Sequence, residues 1–125
     1  MNKKVEDIFI RGNVPSSKNS KIWTGKILVH SKYTSKYVKN SKEQYAILKF
    51  LFVNLLKEKS PPYKISFKFY RDSRRKFDYI NAAQIVQDLM VKNEWIEDDH
   101  CDIVIPVFEQ YEYNKENPGV LINVL

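Results

Sequence analysis

The residues best suited to chemistry are the carboxylates in the last two fifths of the chain. Asp78 and Asp88 are ten residues apart in a segment with helical spacing, and Asp98, Asp99 and Asp102 follow in a short polar stretch. An oxygen-rich set without several Cys or His residues favours Mg²⁺, Mn²⁺ or Ca²⁺. Such an ion suits phosphodiester hydrolysis, because it neutralises the phosphate and lowers the pKa of a bound water. The same residues are also typical of solvated caps and turns, so both interpretations stay open at this point.

One predicted helix positions half of these groups. Asp78 is a good N-cap residue for a helix that we expect to end near Lys92. Because successive helical residues advance by about 100°, Asn81 and Gln84 fall on the same side as Asp78 and Asp88. The opposite side is apolar and is predicted to be buried, with Ala82, Ala83, Val86, Leu89 and Met90.

The charge is divided unevenly along the chain. The formal net charge is +6, but residues 1–76 carry 19 Lys and Arg against 5 Asp and Glu, whereas residues 77–125 carry 2 against 10. This asymmetry points to a polyanionic partner such as DNA. Lysines that only keep an aromatic-rich domain soluble would give a similar total. If the partner is DNA, we expect its phosphates to contact Lys18, Asn19, Lys21, Arg74, Arg75 and Lys76. Further lysines up to Lys39 alternate with aromatic residues, which can stack on bases.

Several classes of protein are disfavoured by composition. The chain has 125 residues, which fits one domain spanning 1–125. Its longest nearly uncharged apolar run, Phe50 to Leu56, is too short to cross a bilayer, so we expect no membrane partner. Cys101 is the single cysteine, which together with the lack of an apolar leader indicates the cytoplasm. Three scattered glycines give no phosphate-binding loop, so we expect no nucleotide cofactor.

The remaining elements predict an α+β fold, a mixed β-sheet with two main helices packed on one face. A strand over 7–12 is followed by a loop over 13–21 and a second strand over 26–30. A helical region runs from about Ser31 to Lys59, and Ser41 with Gln44 resembles a capping box that predicts a break near Lys39 and Asn40. Strict alternation marks a strand over 63–69, and short strands are predicted at 103–107, 111–113 and 120–125.

The segment from Arg74 to about Ile103 resembles the RusA family of Holliday-junction resolvases, which is common in bacteriophages and prophages. That family has basic residues, then Asp-x-Asp-Asn-x-x-Lys-x-x-x-Asp, then a turn that contains an aromatic residue and ends in Asp-Asp. Asp78, Asn81 and Asp88 fall on the first Asp, the Asn and the last Asp of the motif, and the final pair falls on Asp98 and Asp99. Val14 to Ser20 resembles the family's Pro-Pro-Ser-x-Asn loop, and together these matches cover about half of the chain.

The resemblance implies a homodimeric endodeoxyribonuclease that makes paired nicks across a four-way DNA junction during recombination and repair. Asp78 and Asp99 would be catalytic metal ligands for Mg²⁺, with Mn²⁺ as a possible substitute. Asp98 or Asp102, or alternatively Asp88, would complete the metal site, and Asn81 would orient a ligand or water. The family's second Asp falls on Ile80 and its Lys falls on Gln84.

These two departures leave three functions open. The first is the active nuclease, and the second is a protein of the same fold that binds junctions but cuts them weakly or not at all. The third comes from a different class, a phage protein-interaction module whose acidic half binds a basic partner. For the third, neither DNA nor a divalent metal should change thermal stability.

Overall fold

Alternating apolar and polar residues form the longest strand of the fold, Tyr63–Arg71, as the pattern predicts. The computed structural model describes residues 7–16, 21–23, 28–30 and 32–125, with only the backbone of 21–23 and 28–30. In chain order the described elements are β1 (Ile8–Arg11), β2 (Lys21–Trp23), β3 (Leu28–His30), α1 (Lys32–Leu56), β4 (Tyr63–Arg71), α2 (Tyr79–Lys92), β5 (Val104–Phe108), β6 (Glu112–Tyr113) and β7 (Gly119–Val124).

The sheet is mixed, as expected for the predicted α+β class. Its strands lie in the order β1-β7-β4-β5, and β6 pairs with β4 beyond the end of β5. β4 runs antiparallel to β7 and parallel to β5 and β6. β2 and β3 form a separate antiparallel pair in which Lys21 is opposite His30. The prediction of a small α+β domain with a mixed sheet and two helices is therefore confirmed.

One hydrophobic core joins the helices to the sheet. Ile65, Phe67 and Phe69 alternate along β4 and are completely buried. They belong to the same cluster as the apolar side of α2, whose buried members include Ala82, Ala83, Val86, Leu89 and Met90 as predicted. Because that side of α2 is packed inward, the polar residues on its other side face outward, where they can form a site.

The predicted break in the first helix is wrong. α1 continues without interruption through Lys39 and Asn40. Ser41 is buried and its hydroxyl donates to the carbonyl of Tyr37 at 2.7 Å, which is a bond within the helix rather than a cap. Gln44 pairs with β1: its Oε1 accepts from the Arg11 N–H at 2.7 Å, and its Nε2 donates to the Arg11 carbonyl at 3.1 Å.

The other predicted elements are found with small shifts at their ends, except that β2 begins at the end of a predicted loop and was not expected. Its backbone pairs with β3, which lies within the strand predicted over 26–30. None of the helices in the described parts of the chain has the length and apolar character needed to cross a membrane.

Candidate functional site

Asp78 begins α2, as the sequence predicts. Its backbone is extended, with φ −108° and ψ 118°, and its Oδ1 accepts a hydrogen bond from the Ile80 N–H at 2.9 Å. The carboxylate therefore satisfies one of the backbone N–H groups that a helix leaves without partners at its start. It is half-buried. One oxygen of this predicted metal ligand thus has a structural role.

Gln84 connects the outward side of α2 with the acidic turn that follows the helix. Its Nε2 donates to Asp88 Oδ1 at 2.7 Å and also lies 3.4 Å from Asp99 Oδ2. Asp88 is one turn further along the helix, whereas Asp99 is fifteen residues away in the sequence. The structure therefore brings two carboxylates to a single amide group. The sequence predicts Asp88 on this side of the helix, but the spacing of residues along the chain does not predict the contact between Gln84 and Asp99.

Trp95 fixes the acidic turn in this position. Its indole is 2% exposed, its Nε1 donates to the Tyr45 carbonyl at 2.8 Å, and it stacks on Phe52 with a centroid separation of 5.0 Å. The chain reaches Trp95 through Glu94, which has a left-handed backbone with φ 63°. Because Trp95 is held by α1, the turn with Asp99 is held against α2.

The other acidic residues of the turn make only local contacts among those described. Asp98 Oδ1 accepts from the Asp99 N–H at 2.8 Å, and the Asp102 N–H donates to His100 Nδ1 at 3.2 Å. Asp98 and Asp102 are exposed. Within the described ranges, no group of three or more Asp, Glu, His or Cys side chains is arranged to hold a metal. Metal binding by Asp78, Asp98, Asp99 and Asp102 stays a prediction.

A groove of about 840 Å³ separates the first half of α1 from α2. Three exposed lysines line it, Lys39 and Lys42 from α1 and Lys92 from the last turn of α2. The α2 wall includes the polar Asn81, Gln84 and Asp88 and the apolar Ile85 and Leu89. Three lysines and the carboxylate of Asp88 therefore line one cleft. Lys39 is among the lysines that the sequence predicts beside a polyanion, whereas Lys42 and Lys92 are not, although Lys42 follows Lys39 by three residues and belongs to the same helical side.

Two loops meet at the start of α2. Arg71 is buried; its Nη1 donates to the Val14 carbonyl, and its guanidinium carbon lies 4.4 Å from the centre of the Phe77 ring. Burial lowers the pKa of Arg71, and this is partly opposed by Asp72. The Asp72 N–H donates to Asn13 Oδ1 at 2.9 Å. The loop over 13–16 is thus held against the basic loop that precedes Asp78.

Asn81 also binds that first loop. Its Nδ2 lies 3.4 Å from the Ser16 carbonyl, which it contacts as a donor. This contact places the beginning of the segment that resembles the family's Pro-Pro-Ser-x-Asn loop beside α2. Lys18 and Asn19 lie outside the described residues, and for Lys21 only the backbone is described. Their expected contacts with DNA therefore stay predictions.

The predicted phosphate-binding residues before Asp78 are accessible. Arg74, Arg75 and Lys76 are all exposed, and the Arg74 guanidinium lies over the Tyr113 ring at 4.4 Å. Stacking of this kind orients a guanidinium without removing its charge.

Searches of the chain against protein-family models and curated proteins find no match.

Proposed function

We propose that this protein is a Mg²⁺-dependent endodeoxyribonuclease that cuts branched DNA, with four-way junctions as its main substrate. It would act as a homodimer in the cytoplasm, making paired nicks during recombination and repair. The resemblance to the RusA family supplies the substrate and the reaction. The site next to Gln84 supplies a physical reason for placing that reaction on α2.

The observation that carries the proposal is a groove lined by Asp88 and three lysines, with a second carboxylate, Asp99, in contact with the groove residue Gln84. Asp88 and Asp99 converge on the Gln84 amide group at 2.7 and 3.4 Å, and Lys39, Lys42 and Lys92 line the cleft. A nuclease needs both groups, because the metal must be held by acids while the incoming phosphate is held by cations.

The donor set is compatible with Mg²⁺ or Mn²⁺. Both carboxylates present oxygen atoms, and the Gln84 side chain adds an amide oxygen on rotation of its terminal group. The NH₂ group of Gln84 now supplies partial positive charge to both acids. A bound divalent ion would supply the neutralisation of the phosphate and the acidification of a water. Asp88 and Asp99 would hold that ion, with Asp78, Asp98 or Asp102 as further ligands.

The basic residues would bind the DNA backbone. Arg74, Arg75 and Lys76 are exposed immediately before α2, and the lysines of the groove lie along its length. Asn81 would keep the loop over 13–16 next to the DNA through its contact with Ser16, and Lys18, Asn19 and Lys21 would extend the basic surface. Asn81 is then a positioning residue for the loop.

A synthetic four-way junction with Mg²⁺ provides the test. We expect paired nicks from the wild-type protein. Asp99→Asn should lower the cleavage rate by more than about 100-fold while largely sparing binding of the junction. The expected loss is large because removing even an outer-shell partner of a bound metal lowers metal affinity or activity by about 10- to 100-fold. Glu116→Gln is the matched control, because Glu116 is an exposed acid in the loop between β6 and β7. Absence of both binding and nicking by the wild type would refute the proposal.

A second function is favoured by one specific observation. Ile80 is 69% exposed and Gln84 already hydrogen-bonds both acids, so the site has an apolar side chain and an amide where the family has Asp and Lys. A junction-binding protein that does not cut would show this pattern. It would bind the junction with an affinity that falls steeply with salt, and would leave it intact with Mg²⁺ or Mn²⁺. A protein-interaction module would bind no junction at all.

A further inference from the structure

The groove between α1 and α2 is lined by apolar side chains as well as by charged ones. Val38 from α1 is half-buried, and Ile85 and Leu89 from α2 are each only 7% exposed. Because these three side chains are the more deeply buried part of the lining, we call them the floor of the groove. The phosphates of DNA are charged, and their contact with hydrocarbon is unfavourable. The floor therefore indicates a ligand that has a less polar part than phosphate.

Three amide side chains line the same groove, Asn81, Gln84 and Asn93. Asn81 and Asn93 donate to backbone carbonyls at 3.4 and 2.8 Å, and Gln84 donates to a carboxylate at 2.7 Å. Because their NH₂ groups are engaged within the protein, these side chains have acceptor oxygens left for a ligand. A nucleobase has N–H donors on its Watson–Crick edge, and that edge is accessible only when the base is unpaired. The amides thus match an unpaired base.

The charge and the size of the groove fit a short piece of a single strand. Its described lining has three lysines, Lys39, Lys42 and Lys92, against one acid, Asp88, which gives a formal charge of +2. Its volume is about 840 Å³. Sites for small molecules have volumes of about 300–1,000 Å³, so the groove has room for one or two nucleotides rather than for a length of duplex. The lysines would bind the phosphates on either side of a base that lies on the floor.

We propose that this groove binds an unpaired nucleotide, so that single-stranded DNA is itself a ligand of this protein. In a duplex the base faces are stacked and the Watson–Crick edges are paired, so neither the floor nor the acceptor oxygens would have a partner. DNA is favoured over RNA because a 2′-hydroxyl would lose its hydration against the apolar floor. This inference deepens the proposed function and rests on it for the role of the groove in cutting. Binding of a single strand requires neither a junction nor a metal.

Binding of a labelled oligothymidine hexamer tests the groove independently of nuclease activity. Fluorescence anisotropy in EDTA measures the affinity, since no divalent metal is then present to support cutting. We expect a dissociation constant below about 200 µM at low salt. Each lysine that contacts a phosphate of a single strand contributes about −0.7 to the slope of log affinity against log salt, so the three lysines should account for about −2 of that slope. A hexamer of abasic sites keeps the phosphates but lacks the bases, and it should bind several-fold more weakly.

Two pairs of variants place the strand in the groove. Lys42→Gln should weaken the hexamer several-fold and reduce the steepness of the salt slope by about 0.7. Lys64→Gln is its matched control, because Lys64 is exposed and alternates with the buried Ile65 on β4, so it lies on the side of the sheet away from the helices. Ser35→Asp adds a carboxylate at an exposed position of the groove and should also weaken binding. Asn40→Asp adds the same charge about 140° away around α1 and should not. Circular dichroism verifies that all four variants are folded.

The possible outcomes separate this inference from the proposed function. The inference is overturned if the hexamer does not bind, if the abasic hexamer binds as tightly, or if Lys42→Gln binds the hexamer no more weakly than Lys64→Gln. An oligouridine hexamer that binds more tightly than oligothymidine overturns the choice of DNA. If the hexamer binds in the groove but no junction is nicked, the proposed function fails and the groove remains a site for single-stranded DNA. If junctions are nicked but the variants do not change binding of the hexamer, the proposed function stands without this inference.

Discussion

Ile80→Asp should convert the α2 site into a stronger metal site. Ile80 lies one turn before Gln84, and Asp88 lies one turn after it, so the three residues are successive members of one side of the helix. Cβ atoms at this spacing are about 5–6 Å apart. A carboxylate at position 80 would therefore lie within reach of the Gln84 amide that already contacts Asp88 and Asp99. A carboxylate at position 80 would then lie on one side of the Gln84 amide and Asp88 on the other, about 12 Å apart along the helix, and Asp99 would approach the amide from outside the helix.

The substitution should leave the fold intact. Ile80 is 69% exposed, so about a third of its side chain is covered. Losing that burial costs about 0.5–1 kcal/mol, which is about a third of the value for a fully buried isoleucine. A carboxylate in the first turn of a helix gains about 0.3–1 kcal/mol from the helix dipole. The two effects nearly cancel, so the free energy of unfolding should change by less than about 0.7 kcal/mol. A loss of function could then not be attributed to misfolding.

Mg²⁺ titration and junction cleavage measure the outcome. We expect Mg²⁺ to bind at least about tenfold more tightly to Ile80→Asp than to the wild type, with cleavage at least as fast. Ile80→Asn has nearly the same shape without the charge and is the control. If Ile80→Asp is folded but neither binds Mg²⁺ more tightly than Ile80→Asn nor cuts faster, then the Gln84 region is not where the metal binds. The reasoning that places catalysis on this side of α2 would be refuted.

Two further predictions concern stability. Burial raises the pKa of Tyr37 and Tyr45, whose hydroxyls are hydrogen-bonded to each other at 2.9 Å in the core. The two neutral tyrosines therefore contribute fully to the free energy of unfolding below the unfolded-state pKa of about 10. Above that pH the free energy of unfolding should fall by about 1.4 kcal/mol per pH unit for each tyrosine. Denaturant unfolding at pH 9 to 11.5 should show this fall in the wild type and a much smaller one in the double Phe variant; equal slopes would contradict it. Glu94→Gly should raise stability by about 0.5–1 kcal/mol in urea unfolding, because φ is 63° there and the ion pair with Lys49 is exposed. Lys49→Gln removes only the ion pair and should change the free energy of unfolding little. If Glu94→Gly instead loses as much stability as it is expected to gain, the argument is contradicted.

The sequence was most informative where structure depends on neighbouring residues. α2 was predicted with its start and its buried side because Asp78 caps it locally and its apolar residues repeat with the helical period. β4 was predicted because alternation over seven residues has no competing interpretation. The predicted break in α1 was wrong because Ser41 and Gln44, which resemble a cap, instead bond to the Tyr37 carbonyl and to β1.

The candidate site depends on contacts between distant segments, so less of it was predictable. The carboxylates were named from the sequence, but the approach of Asp99 to Gln84 depends on Trp95 binding to α1 fifty residues earlier. The groove depends on how α1 and α2 pack against each other, which no local pattern specifies. Lys42 and Lys92 were missed for this reason.

The hydrogen bonds between Gln44 and Arg11 also cover part of one edge of the sheet. Among the described strands β1 lies at an edge of the sheet, and an edge with unpaired N–H and C=O groups can accept a strand from another molecule. At Arg11 both groups are already engaged by the carboxamide of Gln44, which imitates a neighbouring peptide unit. At the other edge, β5 contains Pro106, which has no N–H to offer. Both edges thus oppose the addition of a strand from another molecule, which is the route by which exposed strands extend into fibrils.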